Sequence, residues 1–355
     1  MRILQVMAGA EHGGAETAFV DMCLALHEAG EVVEVATRAN DIRVPRLQKA
    51  GIPVHILPFG GAVDVYTGAR LRKIIQKFRP DIVQSWMSRA PSKVPRWKAS
   101  MGCPRYVHVA RLGSPYKMKY FKTAEYFVAI TPLIREHILA HGVVGDHVVH
   151  INNFAEVEPV TQAINRADFD TPEGAPLVLG LGRLHPDKAF DTLIEVAAAQ
   201  PDLYVWIAGE GPQRAELESL IEKLGVGNRV KLLGWRTDRA ALLRAADICA
   251  FISRDEGFGT VFVQAWAQGI PVVVCEADGP RQFVRHEEDG LMAPIDDVEA
   301  IGAYIRQLIE EPDLVERLVR GGHARYEAEF TKQASLQGYL QFYHDILERE
   351  GLLGR

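Results

Sequence analysis

Two short segments hold the side chains best suited to chemistry. GRLHPDK at 182–188 carries Arg183 and Lys188 between an apolar strand and the helix that follows. Two cations and a helix N-terminus converging in this way bind an anion, and a diphosphate fits them well. RDEGFGTVFVQAWAQGIPVV at 254–273 adds Gly257 and Gly259, which admit a ligand close to the backbone. It also offers the free amides near Thr260 and Val261, where a helix opens. Glu256 stands just before them. A carboxylate repels phosphate, so Glu256 has a purpose here only if it faces neutral hydroxyl groups. A sugar joined to a diphosphate meets both requirements.

These loops need elements to position them. The chain opens as strand (2–7), glycine loop (AGAEHGG) and helix from about Ala15 to Gly30. Apolar strands at 32–37, 54–57, 82–86, 106–110, 127–130 and 148–151 then alternate with helical patterns. Nearly continuous apolar strands in such alternation indicate an α/β domain with a parallel sheet covered on both faces. A polar, proline-containing stretch from Asn152 to Pro176 reads as a linker and hinge. The pattern then restarts, with strands at 177–181, 203–208, 230–233, 248–252 and 271–275 and helices at 189–199, 213–224 and 260–268. The expected division is 1–160, 161–334 and a terminal helix in 335–355 that packs back on the first domain. Ligands of open parallel sheets bind beyond the C-terminal strand ends. The loops there are AGAEHGG, GRLHPDK, AGEGP and RDEGFG, and two doubly wound domains facing one another would set them across one cleft.

With those residues in place, the sequence resembles the group-one retaining glycosyltransferases of the GT-B fold. The resemblance runs along essentially the whole chain, through GGAE at 13–16, GRLHPDK at 182–188, IAGEGP at 207–212, LLGWRTD at 232–238 and the 254–273 segment, in that order. It implies two Rossmann-like domains, a nucleotide-diphosphate sugar held mainly by the second, and an acceptor on the first. It further implies that Arg183 and Lys188 grip the diphosphate and that Glu256 binds donor-sugar hydroxyls. Amides of Phe258, Gly259, Thr260 and Val261 would contact sugar and phosphate, with Gly209 in the same donor set. Gly14 would meet the donor from the other domain, and Trp235 would border the base. The family pattern has an acid eight positions after the first; here Gln264 stands in its place, and its amide can still accept from one ribose hydroxyl and donate to another. Gln282 replaces a Glu, and Ala189 a customary Gly.

The family often places a His near a first-domain strand end. His108 is the nearest candidate, although its alternation with Val107 and Val109 reads equally as a buried sheet histidine. His12 and Arg111 are the alternatives on the acceptor side. Asp168-Phe169-Asp170 matches a metal-binding DxD pattern but lies in the linker rather than after a strand, so we read it as structural. No metal and no cofactor is expected. GxGxxG and GxxxxGK[ST] are both missing from the sequence, which argues against a nicotinamide enzyme and a P-loop nucleotidase.

Composition bounds the rest. The 355 residues are 48% hydrophobic, enough for two cores. Four scattered cysteines suggest neither a disulfide framework nor a metal cluster, and no segment reads as a signal peptide or a membrane span. A cytoplasmic protein is expected. Net charge is −6, with +6 in residues 1–165 and −12 in 166–355. From Arg70 to Lys122 there are 14 basic residues and one acid, Asp81, with seven aromatic residues interleaved. That stretch reads either as solvated helix faces or as a contact for an anionic membrane surface or acceptor; nucleic acid is disfavoured because no recognition motif accompanies the charge. The expected reaction is sugar transfer to a glycan or lipid-linked acceptor of lipopolysaccharide type. A nucleotide-sugar epimerase or hydrolase of the same fold and a non-enzymatic two-lobed binding protein are the competing readings.

Overall fold

Apolar strands followed by helices with one apolar stripe can bury both only by stacking helices on a parallel sheet, and the chain does this twice. The computed structural model describes residues 1–11, 13–61, 64–154, 160 and 162–354. His12 and the linker residues 155–159 and 161 fall outside them. The chain divides into two compact units, residues 1–154 with 332–355, and residues 155–331.

The first unit runs β1 (Arg2–Met7), α1 (Gly14–Glu28), β2 (Val32–Thr37), α2 (Arg43–Lys49), β3 (Val54–Ile56), α3 (Val65–Phe78), β4 (Ile82–Trp86), β5 (Val107–Leu112), β6 (Tyr126–Ala129), α4 (Pro132–Ala140) and β7 (Val148–His150). The strands are parallel, in the order β3-β2-β1-β4-β5-β6-β7. The second unit runs β8 (Leu177–Leu181), α5 (Phe190–Ala199), β9 (Tyr204–Ala208), α6 (Arg214–Leu224), β10 (Val230–Gly234), α7 (Arg239–Ala245), β11 (Ile248–Phe251), α8 (Thr260–Ala267), β12 (Val272–Cys275), α9 (Asp278–Phe283), β13 (Leu291–Ala293), α10 (Val298–Glu310) and α11 (Pro312–Arg325). Its parallel order is β10-β9-β8-β11-β12-β13. The last helix, α12 (Lys332–Arg349), belongs to the first unit.

Each sheet reverses direction of growth between its first and fourth strands, β1 and β4 in one unit and β8 and β11 in the other. A crevice opens at the C-terminal ends of such a pair, where the two loops diverge to opposite faces. In the first unit α1 and α12 cover one face together: Phe19, Cys23 and Leu26 pack with Tyr339, Tyr343 and Ile346 over Ile3, Val107 and Val109. The Tyr343 hydroxyl donates to Gln84 of β4, and Ser335 Oγ donates to the Asn152 carbonyl at 2.9 Å. The amphipathic α12 thus satisfies sheet polar groups as well as burying its apolar stripe. In the second unit α5, α10 and α11 pack on one face, while α8 and α9 cover the other around Trp206, Phe262, Trp266 and Phe283.

Candidate functional site

The β8–α5 loop is shaped by its own glycines and by the neighbouring β9–α6 loop. The Gly182 amide donates to the Ala208 carbonyl at 3.1 Å, and the Leu184 amide donates to the Glu210 carbonyl at 3.0 Å. A side chain at Gly209 would run into the Gly182 carbonyl oxygen, and one at Gly211 into the Leu184 carbonyl. Only glycine permits two backbones to lie so close. AGEGP is therefore first a support for GRLHPDK, a role that sequence reasoning did not assign to Gly209. Beyond Leu184 a single 3₁₀ turn, Pro186–Lys188, presents the lysine, and Ala189 ends it in the left-handed region at φ 54°. That conformation explains why glycine is customary there, and an alanine methyl group in it costs about 1–2 kcal/mol.

Across the switch point lies the β11–α8 loop. Gly259 has φ 79°, and a side chain on it would strike the Phe251 ring. It precedes α8 with no side-chain cap, so the first amides of that helix are unclaimed by any capping group. The Phe258 side chain is core, packed on Phe283 with ring centroids 5.0 Å apart, which leaves its backbone as the part available to a ligand. Thr260 is exposed and Val261 partly so. The loop is also pinned from below, where the Gly279 amide of α9 donates to the Glu256 carbonyl at 2.6 Å.

The two loops meet through charge. Lys188 Nζ donates to Glu256 Oε2, and both side chains remain about one-fifth exposed. The sequence suggested separate partners for this cation and this carboxylate; the fold pairs them. A residue that sequence reasoning missed, Arg254, holds the whole edge. Its amide donates to the Asp187 carbonyl at 2.7 Å. Its guanidinium donates to the Pro186 carbonyl at 2.6 Å, to Asp191 at 2.8 Å, to Thr192 Oγ1 at 3.1 Å and to both Asp296 oxygens at 2.8 Å. These bonds raise the Arg254 pKa further and lower that of Asp296. Its position at the head of RDEGFG was visible, but partners spread from 186 to 296 along the chain were not.

A pocket beside this edge is lined by Gly182, Arg183, Gly209, Trp235, Arg236, Arg239, Val261 and Gln264. Arg183 is exposed and, among the described residues, enters no ion pair. Gln264 Oε1 is buried there without a hydrogen-bond partner, an acceptor waiting for a donor. Trp235 is 66% exposed, with the Arg239 guanidinium 5.5 Å from its ring centroid. Arg236 is neutralised by Asp238 at 2.6 Å. The structure thus brings Arg183, Gly209, Trp235, Val261 and Gln264 to one pocket and Lys188 with Glu256 to the adjoining loops. Gln282 lies on α9, its amide donating to the Asp278 carbonyl.

The first-unit candidates are arranged differently. Gly14 begins α1, and a side chain there would meet nothing. His12 lies outside the described residues. His108 is the second residue of β5, wholly buried, 2.8 Å from Ser85 Oγ and 3.2 Å from Thr123 Oγ1. Burial pushes its pKa down to about 4. Ligands gather beyond C-terminal strand ends, whereas His108 sits inside the core near the N-terminal end of β5, as its alternation with Val107 and Val109 allowed. Arg111, three residues on, is also fully buried, against the Trp86 ring at 4.3 Å and donating to Asn153. In the linker, Asp170 accepts from Lys231 at 2.9 Å and Phe169 packs on Trp206, so this DxD is occupied with structure.

Two Rossmann-like units, with a cationic loop and an uncapped helix at the second switch point, define a GT-B glycosyltransferase. Residues 161–325 match the family model for glycosyl transferases group 1, and residues 12–158 match that for glycosyltransferase family 4. The chain belongs to the group 1 glycosyltransferases. It is 33% identical to the lipopolysaccharide core biosynthesis glycosyltransferase LpsE of Rhizobium meliloti over 93% of this chain and 95% of that one. It is 31% identical to LpsD of the same organism, over 97% and 98%. Among solved structures, Anabaena Alr3699/HepE in complex with UDP shares the fold with a TM-score of 0.81 at 20% identity, over 97% of this chain and all of that one.

Proposed function

We propose that this glycosyltransferase moves a sugar from a nucleoside-diphosphate sugar to a glycan or lipid-linked acceptor of the cell envelope, with retention of anomeric configuration and without a metal ion. The observation that carries the reading is the convergence, at one sheet edge, of Lys188, Glu256 and the uncapped start of α8, next to a pocket holding Arg183 and Gln264. As the glycosidic bond breaks, negative charge accumulates on the diphosphate; cations and helix amides fixed beforehand stabilise that charge with little reorganisation. The ion pair gives the site an order of events. A donor diphosphate competes with Glu256 for Lys188, and the carboxylate so released accepts from sugar hydroxyls. Gln264 takes a ribose hydroxyl, and Trp235 borders the base. The lipopolysaccharide core relatives support an envelope glycan as acceptor, and the UDP-bound neighbour supports a nucleotide sugar as donor. We place the reaction in the cytoplasm, with the basic 70–122 stretch of the first unit toward an anionic membrane surface that holds the acceptor. No nucleic acid takes part.

A thermal-shift panel of nucleoside-diphosphate sugars tests the donor, since a ligand that binds only the folded state raises its melting temperature. One sugar nucleotide should stand out, and turnover with an envelope glycan should persist in chelator with the anomeric configuration unchanged. Free sugar or an epimer formed at the same rate without acceptor would replace transfer with hydrolysis or epimerisation.

A further inference from the structure

The first unit has a groove of its own at the C-terminal edge of its sheet, about 480 Å³ in volume, between the loops that follow β1 and β2. Gly9, Glu11, Arg38, Asn40, Asp41 and Arg43 are among its lining residues. The sheet order β2-β1-β4 sets the loops after β2 and β4 on either side of β1, roughly 10 Å apart at two strand spacings. Arg38 directly follows β2. Arg89 lies just past β4, beyond Met87, whose φ of 62° turns the chain through the left-handed region.

Three guanidinium groups gather here without an ion pair. Arg43 is the most buried, 3% exposed, with Nε donating to Thr37 Oγ1 at 3.1 Å and Nη1 to the Ala10 carbonyl at 3.2 Å. Arg38 donates from Nε to the Pro58 carbonyl at 2.9 Å and from Nη2 to the Phe59 carbonyl, which leaves its Nη1 edge unclaimed. Burial lowers the Arg38 pKa, and the nearby Arg89 charge lowers it further. That of Arg43 falls as well, chiefly through burial, with Glu16 opposing the shift and Arg38 adding to it. Like charges held this close disfavour one another, and an anion between them relieves both. Arg89 is exposed, and among the described residues none of the three arginines enters an ion pair.

Two carboxylates share the groove, and they decide what kind of anion fits. Glu11 is already engaged, and exposed Asp41 pairs with none of the arginines. A bare anion would meet the arginines but be repelled by Glu11 and Asp41. A neutral sugar would serve the carboxylates through its hydroxyl groups and leave the guanidinium charges unanswered. A sugar that carries a carboxylate or a phosphate meets both demands. Ile42, 60% exposed on the same groove, offers an apolar face to ring C–H groups.

We infer that this groove binds an acidic sugar of the acceptor, with Arg38 and Arg89 on its carboxylate or phosphate and Asp41 on its hydroxyl groups. The inference rests on the reading that the acceptor is a glycan, and it names the chemical class of the sugar that is recognised. Carboxylate and phosphate share the bidentate acceptance that a guanidinium reads, so the test carries one probe of each.

Isothermal titration of the full-length protein with glucuronate, glucose 6-phosphate, glucose and inorganic phosphate, at fixed ionic strength, tests this. The protein is first saturated with the nucleoside diphosphate that most raises its melting temperature, so that the anion-binding loops of the second unit are filled. At least one of the two anionic sugars should bind about tenfold or more tighter than glucose and than inorganic phosphate, and the pair shows which anion the groove reads. Arg89→Gln should weaken that binding about tenfold, as loss of one charge-assisted hydrogen bond does, and Arg89→Lys should recover part of it. Asp41→Ala should weaken it about threefold or more; removing an acid strengthens a bare anion, so the sign separates a sugar from an ion. Lys77→Gln, which removes an equal charge on α3, should bind as the parent does. Arg89, Asp41 and Lys77 are exposed, so melting temperatures should stay together. Affinity for glucose or inorganic phosphate equal to that for the anionic sugars, no binding of either anionic sugar, unchanged binding by Arg89→Gln, or tighter binding by Asp41→Ala would overturn the inference. Thermal shifts with nucleotide sugars on the same proteins separate the two readings: their loss in every protein would remove the proposed donor, whereas their retention without acidic-sugar binding would remove only the role given to this groove.

Discussion

The two sheets share the strand order 3-2-1-4-5-6 for their first six strands, yet they use their C-terminal edges in opposite ways. In the second unit the charged groups at the switch point face one another across loops. Lys188 meets Glu256, Arg254 meets Asp191 and Asp296, and Arg183 and Gln264 are left over to line a pocket. In the first unit several polar groups near the corresponding edge turn inward. Arg111 is buried on Trp86, Arg43 lies beneath Gly9 and donates to Thr37, and Glu16 accepts from the Ala10 amide at 2.7 Å. One edge gathers its charged groups into a polar constellation, and the other spends several of them on packing and on its own backbone. A shared topology supplies the place for a site, and the loop residues decide what is done there.

If that contrast is right, substitutions in the two edges should separate turnover from stability. The largest effect belongs to Lys188→Ala, which should lower steady-state turnover by roughly two to three orders of magnitude, as loss of one anion-stabilising donor does elsewhere. Near-parental turnover would remove its role. Arg254→Ala should reduce turnover about tenfold to a hundredfold and also cost roughly 2 kcal/mol in denaturant unfolding, since it removes the guanidinium's bonds to Asp191, Asp296 and the Pro186 carbonyl and leaves Asp296 with the Thr192 hydroxyl alone. Loss of stability with unchanged turnover would make it merely structural.

His108→Gln should do the reverse, costing about 2 kcal/mol of stability while leaving turnover at saturating substrate within about twofold. The parent should also lose stability in acid through this group. Its folded pKa, about 4, lies below the ordinary histidine value of about 6.5. The unfolded chain therefore takes the proton first, and the contribution present above pH ~6.5 falls by at most ~1.4 kcal/mol per unit down to about 4. Parallel unfolding curves for parent and His108→Gln over that range would contradict this. The smallest change is expected from Gln264→Glu. Nucleoside diphosphate should bind about threefold to tenfold tighter, because a charged acceptor makes the stronger bond to a hydroxyl, while inorganic pyrophosphate should gain nothing. Equal gains for both ligands would take residue 264 away from the ribose.

Much of this was legible before any coordinates. Strands such as 2–7, 32–37 and 177–181 were readable because a sheet covered on both faces needs unbroken apolar runs. The short β13, three residues between polar turns, gave no such run, and α12 begins three residues before the expected 335 because its first turn is polar. In the site, the residue types and their loops were visible, whereas their mutual pairing was not. Nothing local in GRLHPDK announces that Lys188 reaches Glu256, or that Asp296 waits for Arg254. The same limit holds for His108, whose alternating neighbours fit a core strand and an active strand equally; its burial and its contacts with Ser85 and Thr123 came only with the fold.

The central claim is that Lys188 serves the donor diphosphate and Glu256 its sugar, from an ion pair that the donor must open. Isothermal titration of Glu256→Gln with a nucleoside diphosphate and with the matching nucleotide sugar tests it most directly. The account predicts that the free diphosphate binds at least as tightly as to the parent, because Lys188 is no longer shared, while the nucleotide sugar loses affinity. Equal weakening of both ligands would contradict it.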